Sequence, residues 1–319
     1  MAGFWDNLPK PFFVLAPMEG VTDKVFRAVV ARAGAPDVFY TEFTNVSSFA
    51  SEKGRENTLE RLELNENEGV STPVVAQIWG KNPDQFALLA AELEKLGFNG
   101  LDINMGCPDK NVVKTGGGSS MIRTPDLAIQ CTRKAKAATN LPVSVKTRLG
   151  YSRVDEFRDW LPTLLKENLA VLTVHLRTKK EMSKVAAHYE LIPEILKLRD
   201  EIAPATKIVI NGDIENRAHA LKLYEQYPSV DGFMIGRGVF KDIYCFATDD
   251  AREAKKSLFL YHLDLFDARR AELEAKGQKY PFEPLKHFYK VYFNSEKGAS
   301  ELRQKLMECE TTAELRSVL

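Results

Sequence analysis

The sequence predicts an α/β protein, a (β/α)8 TIM barrel at residues 1–243 followed by a smaller all-helical C-terminal domain at 244–319. Short β-branched or aromatic runs alternate with segments of helical spacing, as βα units around a parallel sheet require. There are eight such runs over roughly 240 residues, the size of one barrel. After Phe240 the strand signal stops and the chain becomes charged and helical. A doubly wound sheet is the alternative, but it offers no reason for eight regular units.

In order, the strand runs are FFVLAPM ending near Met18, VFYTEF near Phe43, PVVAQIWG near Gly80 and GLDINMG near Gly106. PVSVKTRLG near Gly150, VLTVHLRT near Thr178, KIVINGD near Asp213 and GFMIGRG near Gly238 complete the set. Helices are expected at Asn82 to Leu96 and Thr124 to Ala138, each with a capping residue followed by proline. Further helices are expected at Val154 to Glu167, Glu190 to Ile202 and Glu215 to Tyr227. The polar stretch after Phe43 reads as one short helix with an irregular excursion. Beyond a boundary near Tyr244 to Asp250, helices are expected from Asp249 through Lys276, Glu283 to Phe293 and Ser300 to Leu319.

With 319 residues and 44% hydrophobic side chains, the chain is long enough for a sizeable core, which excludes a disordered or fibrous protein. The formal net charge of +0 means that any polyanion must meet a local basic patch. Cys107, Cys131, Cys245 and Cys309 form no CxxC and read as intracellular thiols, not as a disulfide framework or zinc knuckle. His188, His219, His262 and His287 lack metal-ligand spacing, so no metal is expected. Asp6, Lys10 and three prolines break the apolar N-terminus, and no later run approaches the roughly 18 residues of a membrane span. The expectation is a soluble, cytoplasmic protein with no membrane contact and no obligate protein partner.

Barrel enzymes place their chemistry at the C-terminal strand ends. Here those ends carry Met18 with Glu19, Glu42, Gln77, Asn104 with Cys107, Lys146 with Arg148, His175 with Arg177, Asn211 with Asp213, and Arg237. Any one could be a solvated or structurally satisfied side chain, whereas eight in register favour a shared pocket. The glycine turns Asn211-Gly212-Asp213 and Gly236-Arg237-Gly238 suit a phosphate at strands seven and eight, with Arg237 adding a charge-assisted hydrogen bond. With Lys146, His175 and the Gln77 amide, the set suits a flavin mononucleotide across the mouth. A Schiff-base aldolase lysine is the rival chemistry, and it leaves Cys107 and Gln77 without roles.

The motifs APMEGVTD (Ala16 to Asp23), QIWG (Gln77 to Gly80), DINMGCP (Asp102 to Pro108) and GGG (Gly116 to Gly118) occur in the order found in the tRNA-dihydrouridine synthases. KTRLG (Lys146 to Gly150), HLRT (His175 to Thr178), NGDI (Asn211 to Ile214) and IGRG (Ile235 to Gly238) continue the match, so that the chain resembles that family from about Phe12 to Phe240. The resemblance implies an FMN enzyme that uses NADPH to reduce the C5=C6 bond of particular uridines in tRNA. Pro17, Met18, Glu19, Gln77, Lys146, His175, Asn211, Gly212, Asp213, Gly236 and Arg237 are then the candidate cofactor residues. Leu176 departs from the family's usual small residue, which implies a differently shaped substrate side, and Tyr189 is a loose match to an expected aromatic.

Hydride arriving at uracil C6 leaves charge at C5 that needs a proton, and Cys107 is the candidate donor, a thiol being protonated at neutral pH. The other three cysteines read as structural. Asn104 is a candidate for the uracil edge, and Lys110, Lys114, Arg148 and Arg177 for RNA contacts. In the tail, Lys286 and Lys290 lie four apart among aromatics and form the candidate tRNA-docking patch. Two other function classes remain: an FMN-dependent small-molecule oxidoreductase of the dihydroorotate dehydrogenase type, and a non-catalytic RNA-binding barrel. Bound flavin discriminates against the latter. The helical tail discriminates against the former, since a free pyrimidine needs no docking domain.

Overall fold

The computed structural model describes residues 3–66, 68, 71–248, 252–294 and 298–319. Eight parallel strands follow one another around a barrel: β1 (Phe12–Leu15), β2 (Phe39–Asn45), β3 (Val74–Trp79), β4 (Gly100–Met105), β5 (Val143–Arg148), β6 (Val171–His175), β7 (Lys207–Asn211) and β8 (Gly232–Ile235). β1 pairs with β8 along its length, and the bridge from Val14 to Val38 draws β1 to the start of β2.

The two-residue side-chain period of a strand decides what each wall faces. Phe13, Leu15, Leu101, Ile103, Leu172, Val174, Ile208 and Ile210 point outward into the layer shared with the helices. Phe12, Val14, Val75, Val171, Val209 and Met234 point inward and fill the lower barrel. Trp5, on a 3-10 turn at Gly3–Asn7, joins this inner cluster with its ring 5.5 Å from that of Phe12. The same alternation sends the polar residues of the upper strands inward, where register sets Asn104 beside Lys146, Arg148 beside His175, and His175 beside Asn211.

The outer layer holds α1 (Lys24–Gly34), α2 (Val46–Ala50), α3 (Glu52–Arg61), α4 (Pro83–Lys95), α5 (Lys110–Lys114), α6 (Pro125–Ala137), α7 (Phe157–Leu165), α8 (Ile192–Ile202), α9 (Arg217–Gln226) and α10 (Gly238–Lys241). Asn82 caps α4 by accepting from the N–H groups of Asp84 and Gln85, and Pro83 follows it as the sequence predicts. Thr124 precedes Pro125 but makes no side-chain cap. The stretch after Phe43 holds two helices instead of one, because Asn45 and Ser51 each cap a new start.

In the tail, α11 (Lys255–Ala275) begins six residues later than expected, and residues 249–251 lie outside the described set. The segment expected as one helix from Glu283 is a 3-10 turn, Glu283–Phe288, running into the short α12 (Tyr289–Tyr292). The final segment divides into α13 (Ala299–Glu308) and α14 (Thr312–Val318), the second capped by Thr311. The apolar core is continuous across position 243: the Phe26 ring lies 4.7 Å from Phe288 and 6.5 Å from Phe240. Buried His262, held neutral by desolvation, makes a 2.8 Å contact with the Tyr292 hydroxyl. The Tyr280 hydroxyl donates to Asp23, which itself caps α1. Among the described residues, no helix is long and apolar enough to cross a membrane.

Candidate active site

A cavity of about 620 Å³ opens at the mouth over the ends of β1, β5, β6, β7 and β8. It brings together Pro17, Met18, Lys146, His175, Arg177, Asn211, Gly212, Asp213, Gly236 and Arg237. Four cationic side chains, Lys146, Arg177, Arg237 and Lys241, face it against two carboxylates, Asp213 and Glu215. That balance favours an anion.

The Asp213 carboxylate is shared by Arg177 and Arg237, so neither charge stands alone. Asp213 sits at φ 54° and Gly212 at φ 122°, a turn in which glycine carries the strained position. Tyr189 Oη donates to the Gly212 carbonyl at 2.6 Å and pins that turn. Gly236 keeps its backbone open: a Cβ there would lie 3.4 Å from the Cβ of Ala16 and 3.8 Å from Met18 Sδ.

Lys146 Nζ donates to Asn211 Oδ1 at 3.2 Å, and Asn211 Nδ2 donates to the Met234 carbonyl. Burial, with Arg148 alongside, brings the Lys146 ammonium down to about 8. Desolvation and the neighbouring cations hold His175 well below the usual imidazole range, so it is neutral at pH 7. Arg177 Nη1 lies 3.2 Å from His175 Nε2, which makes Nε2 the acceptor and leaves the proton on Nδ1.

The end of β4 is built around a buried amide chain. Gln77 Nε2 donates to Asp102 at 2.7 Å, Ser144 donates to the same carboxylate, and Asn104 Nδ2 donates to Gln77 Oε1. Desolvation raises Asp102 to about 6. Asn104 Oδ1 accepts from the N–H groups of Gly106 and Cys107, at 3.1 and 2.8 Å, and so fixes the turn that carries Cys107. Burial pushes the Cys107 thiol up, opposed in part by a backbone hydrogen bond from Asp109 and by the charges of Arg148 and Lys146. Cys107 is partly exposed, while Cys131, Cys245 and Cys309 are buried.

Several expected residues lie elsewhere. Gln77 is fully buried beneath the mouth and does not line the cavity. Glu19 faces away from it toward Arg61, at 2.7 Å. Arg148 is buried, with Nε donating to the Gly106 carbonyl and Nη1 to those of Thr178 and Met182, and Arg177 is 2% exposed. Both arginines are tied into the wall of the mouth, and Arg177 also lines the cavity. Leu176 is buried in the helix-facing layer and does not shape the substrate side. Lys110 and Lys114 stand exposed on α5, just beyond Cys107. Lys286 is 12% exposed, paired with Glu283 and lying over the Phe282 ring. Lys286 lies in the 3-10 turn and Lys290 in α12, so the two do not sit on one continuous α-helix. Lys290 instead lines a cleft of about 700 Å³ with Lys241, Arg252 and Lys255.

The profile of the dihydrouridine synthase (Dus) family matches residues 14–319. The chain belongs to the dihydrouridine synthase family. It is 51% identical over 319 aligned residues to a probable tRNA-dihydrouridine synthase 2 of Bacillus subtilis, covering 99% of this chain and 95% of that protein. A probable tRNA-dihydrouridine synthase of Staphylococcus aureus is 48% identical, with 99% and 94% covered. Among solved structures, an old yellow enzyme homologue from Zymomonas mobilis superposes with a TM-score of 0.51 at 14% identity, over 73% of this chain and 86% of that one. At that identity the likeness shows the shared barrel fold.

Sequence reasoning assigned no role to Asp102, Arg61 or Trp79. Asp102 and Trp79 lay inside the quoted DINMGCP and QIWG motifs, whereas nothing in the local sequence marks Arg61.

Proposed function

We propose that this member of the family reduces the C5=C6 bond of uridines in tRNA, with FMN in the cation-rich cavity, NADPH as reductant and Cys107 as proton donor. The observation that carries the reading is one barrel mouth holding both an anion-favouring, glycine-walled cavity and a protonated, partly exposed thiol within electrostatic reach of Lys146 and Arg148. The relatives' names supply tRNA as the substrate.

The residues present fit a flavin mononucleotide. The cavity volume lies within the range of cofactor sites, and the excess of two positive charges suits a phosphate. Arg237 and the turns at Gly212 and Gly236 would hold that phosphate, and Lys146 with the Nδ1–H of neutral His175 would offer donors to an electron-rich ring edge. When bound, the flavin supplies the two-electron carrier between the nicotinamide and the uracil. The chain's own part is to position and protonate. Asn104 keeps Cys107 at the mouth and has a second Nδ2 hydrogen for a uracil carbonyl. The thiol donates its proton to C5, and Arg148 and Lys146 stabilise the thiolate left behind.

For the polynucleotide, exposed Lys110 and Lys114 flank Cys107, and Lys290 shares its cleft with three further cations, among them Lys241, which also lines the flavin cavity. A phosphate backbone running along the cleft therefore reaches the mouth, where the target uridine leaves its stack. The test is anaerobic mixing of the flavin-loaded protein, first with NADPH and then with tRNA. The expected result is flavin bleaching by NADPH and re-oxidation that requires tRNA. Re-oxidation by free uridine as fast as by tRNA would instead indicate a small-molecule oxidoreductase.

A further inference from the structure

A second cavity of about 620 Å³ opens on the opposite side of the mouth, over the ends of β2, β3 and β4. It exists because β2 contains a bulge. Tyr40 is opposite Val75, yet Phe43 is opposite Gln77, so β2 spends one residue more than β3 between these pairs. Thr41 fills the gap, its hydroxyl accepting from Gln77 N at 3.1 Å and donating to the Glu42 carbonyl at 2.7 Å. Beyond the bulge, Phe43 and Asn45 fall in register with Gln77 and Trp79 and line the cavity mouth. Such re-aiming is what bulges do beside sites.

Two features of this cavity point to a ligand. Two half-buried aromatic rings, Phe43 and Trp79, line it. The Trp79 ring is held against backbone by Gly117, where a Cβ would come within 2.9 Å of Trp79 Cε3. The charge is the reverse of the flavin cavity: Glu19 and Asp109 against Arg61 alone, and Arg61 is already paired with Glu19 and Glu42. This is no phosphate site. It suits a flat, uncharged ring that carries hydrogen-bond donors.

We propose that this cavity takes the base of the nucleotide next to the reacting uridine and favours a base with an exocyclic amino group. The carboxylates of Glu19 and Asp109 accept from the amino group, and the Phe43 and Trp79 rings offer apolar faces to the base. Uracil offers a single N–H between two carbonyl oxygens and sets those oxygens against the carboxylates. A coenzyme pyrophosphate is disfavoured by the same two carboxylates. The proposal rests on the reading that an RNA uridine is the substrate, and it makes this pocket a determinant of which uridines are chosen.

The test uses ribodinucleotides joining uridine to guanosine, adenosine, cytidine or uridine, each competing with labelled intact tRNA for the flavin-loaded protein. The wild type is expected to bind the best amino-bearing dinucleotide about tenfold more tightly than the uridine–uridine one, within the range of one lost base–aromatic stack. Trp79→Ala and the shape-preserving Glu19→Gln are expected to narrow that preference severalfold, with flavin content and NADPH oxidation unchanged. Equal binding of all four dinucleotides by the wild type overturns the proposal, as does an unchanged preference in both variants. A raised KM for NADPH in Trp79→Ala without RNA also overturns it, by assigning the cavity to the coenzyme. Turnover of tRNA by the wild type judges the uridine-reduction reading separately, because the affinities are read without turnover.

Discussion

Replacing Cys107 by alanine separates the two halves of the proposed reaction. The thiol sits on the turn fixed by Asn104, and burial raises its pKa above the ordinary 9.0. Even at 9.0, only about one thiol in a hundred is ionised at pH 7, so the wild-type group carries a proton to give. Alanine removes the proton while leaving the turn, because the Asn104 contact runs to the Cys107 backbone N–H. Loss of a positioned general acid costs about 10²- to 10⁴-fold, equivalent to about 2.7–5.4 kcal/mol of barrier. Stopped-flow under anaerobic conditions reads both halves. Reduction of bound flavin by NADPH is expected at the wild-type rate, and re-oxidation by tRNA is expected to be slower by at least two orders of magnitude. In the wild type, the second half should also fail as pH rises past the thiol's raised pKa, since the acid is the protonated form. Equal slowing of both halves in Cys107→Ala would refute the proton-donor role.

Three further outcomes follow from the same geometry. The Lys146 ammonium is charged below about 8 and neutral above it, so affinity for FMN should fall between pH 7 and 9; Lys146→Met should bind more weakly at pH 7 and lose that step in a titration of flavin fluorescence. Arg237→Ala, which removes an exposed cation from the glycine turns, should weaken FMN binding about tenfold or more, the scale of a lost hydrogen bond to a charged group; undiminished affinity in equilibrium dialysis would remove that assignment. Lys290→Glu with Lys255→Glu should weaken tRNA binding and flatten its salt dependence, whereas Lys286→Glu, already shielded by Glu283, should change it less; the reverse order in filter binding would move the docking surface to Lys286.

The barrel was legible because its signal is local and repeated. Each strand run carries its own two-residue alternation, and the same alternation delivers Lys146, His175 and Asn211 to one mouth. These cavity-lining residues were therefore readable one by one. What could not be read depended on contacts distant in sequence. Arg148 and Arg177 look like free cations in KTRLG and HLRT, and only the fold shows Arg148 Nε and Nη1 bonded to carbonyls and Arg177 bonded to the Val185 carbonyl and Asp213. Lys286 and Lys290 have helical spacing, but Lys286 falls in a 3-10 turn with buried Leu285 and Phe288 and Lys290 in the short helix that follows. The bulge in β2 left no glycine or proline mark, so the second cavity had no sequence signal.

The central claim is tested most directly by product. The protein, loaded with FMN, is incubated with NADPH and an unmodified tRNA transcript, and the RNA is digested and mapped by mass. Particular uridines are expected to gain two hydrogen atoms each, the gain is expected to require both FMN and NADPH, and Cys107→Ala is expected to leave those uridines largely unreduced. RNA unchanged in mass while bound flavin is reduced and re-oxidised at full rate would contradict it.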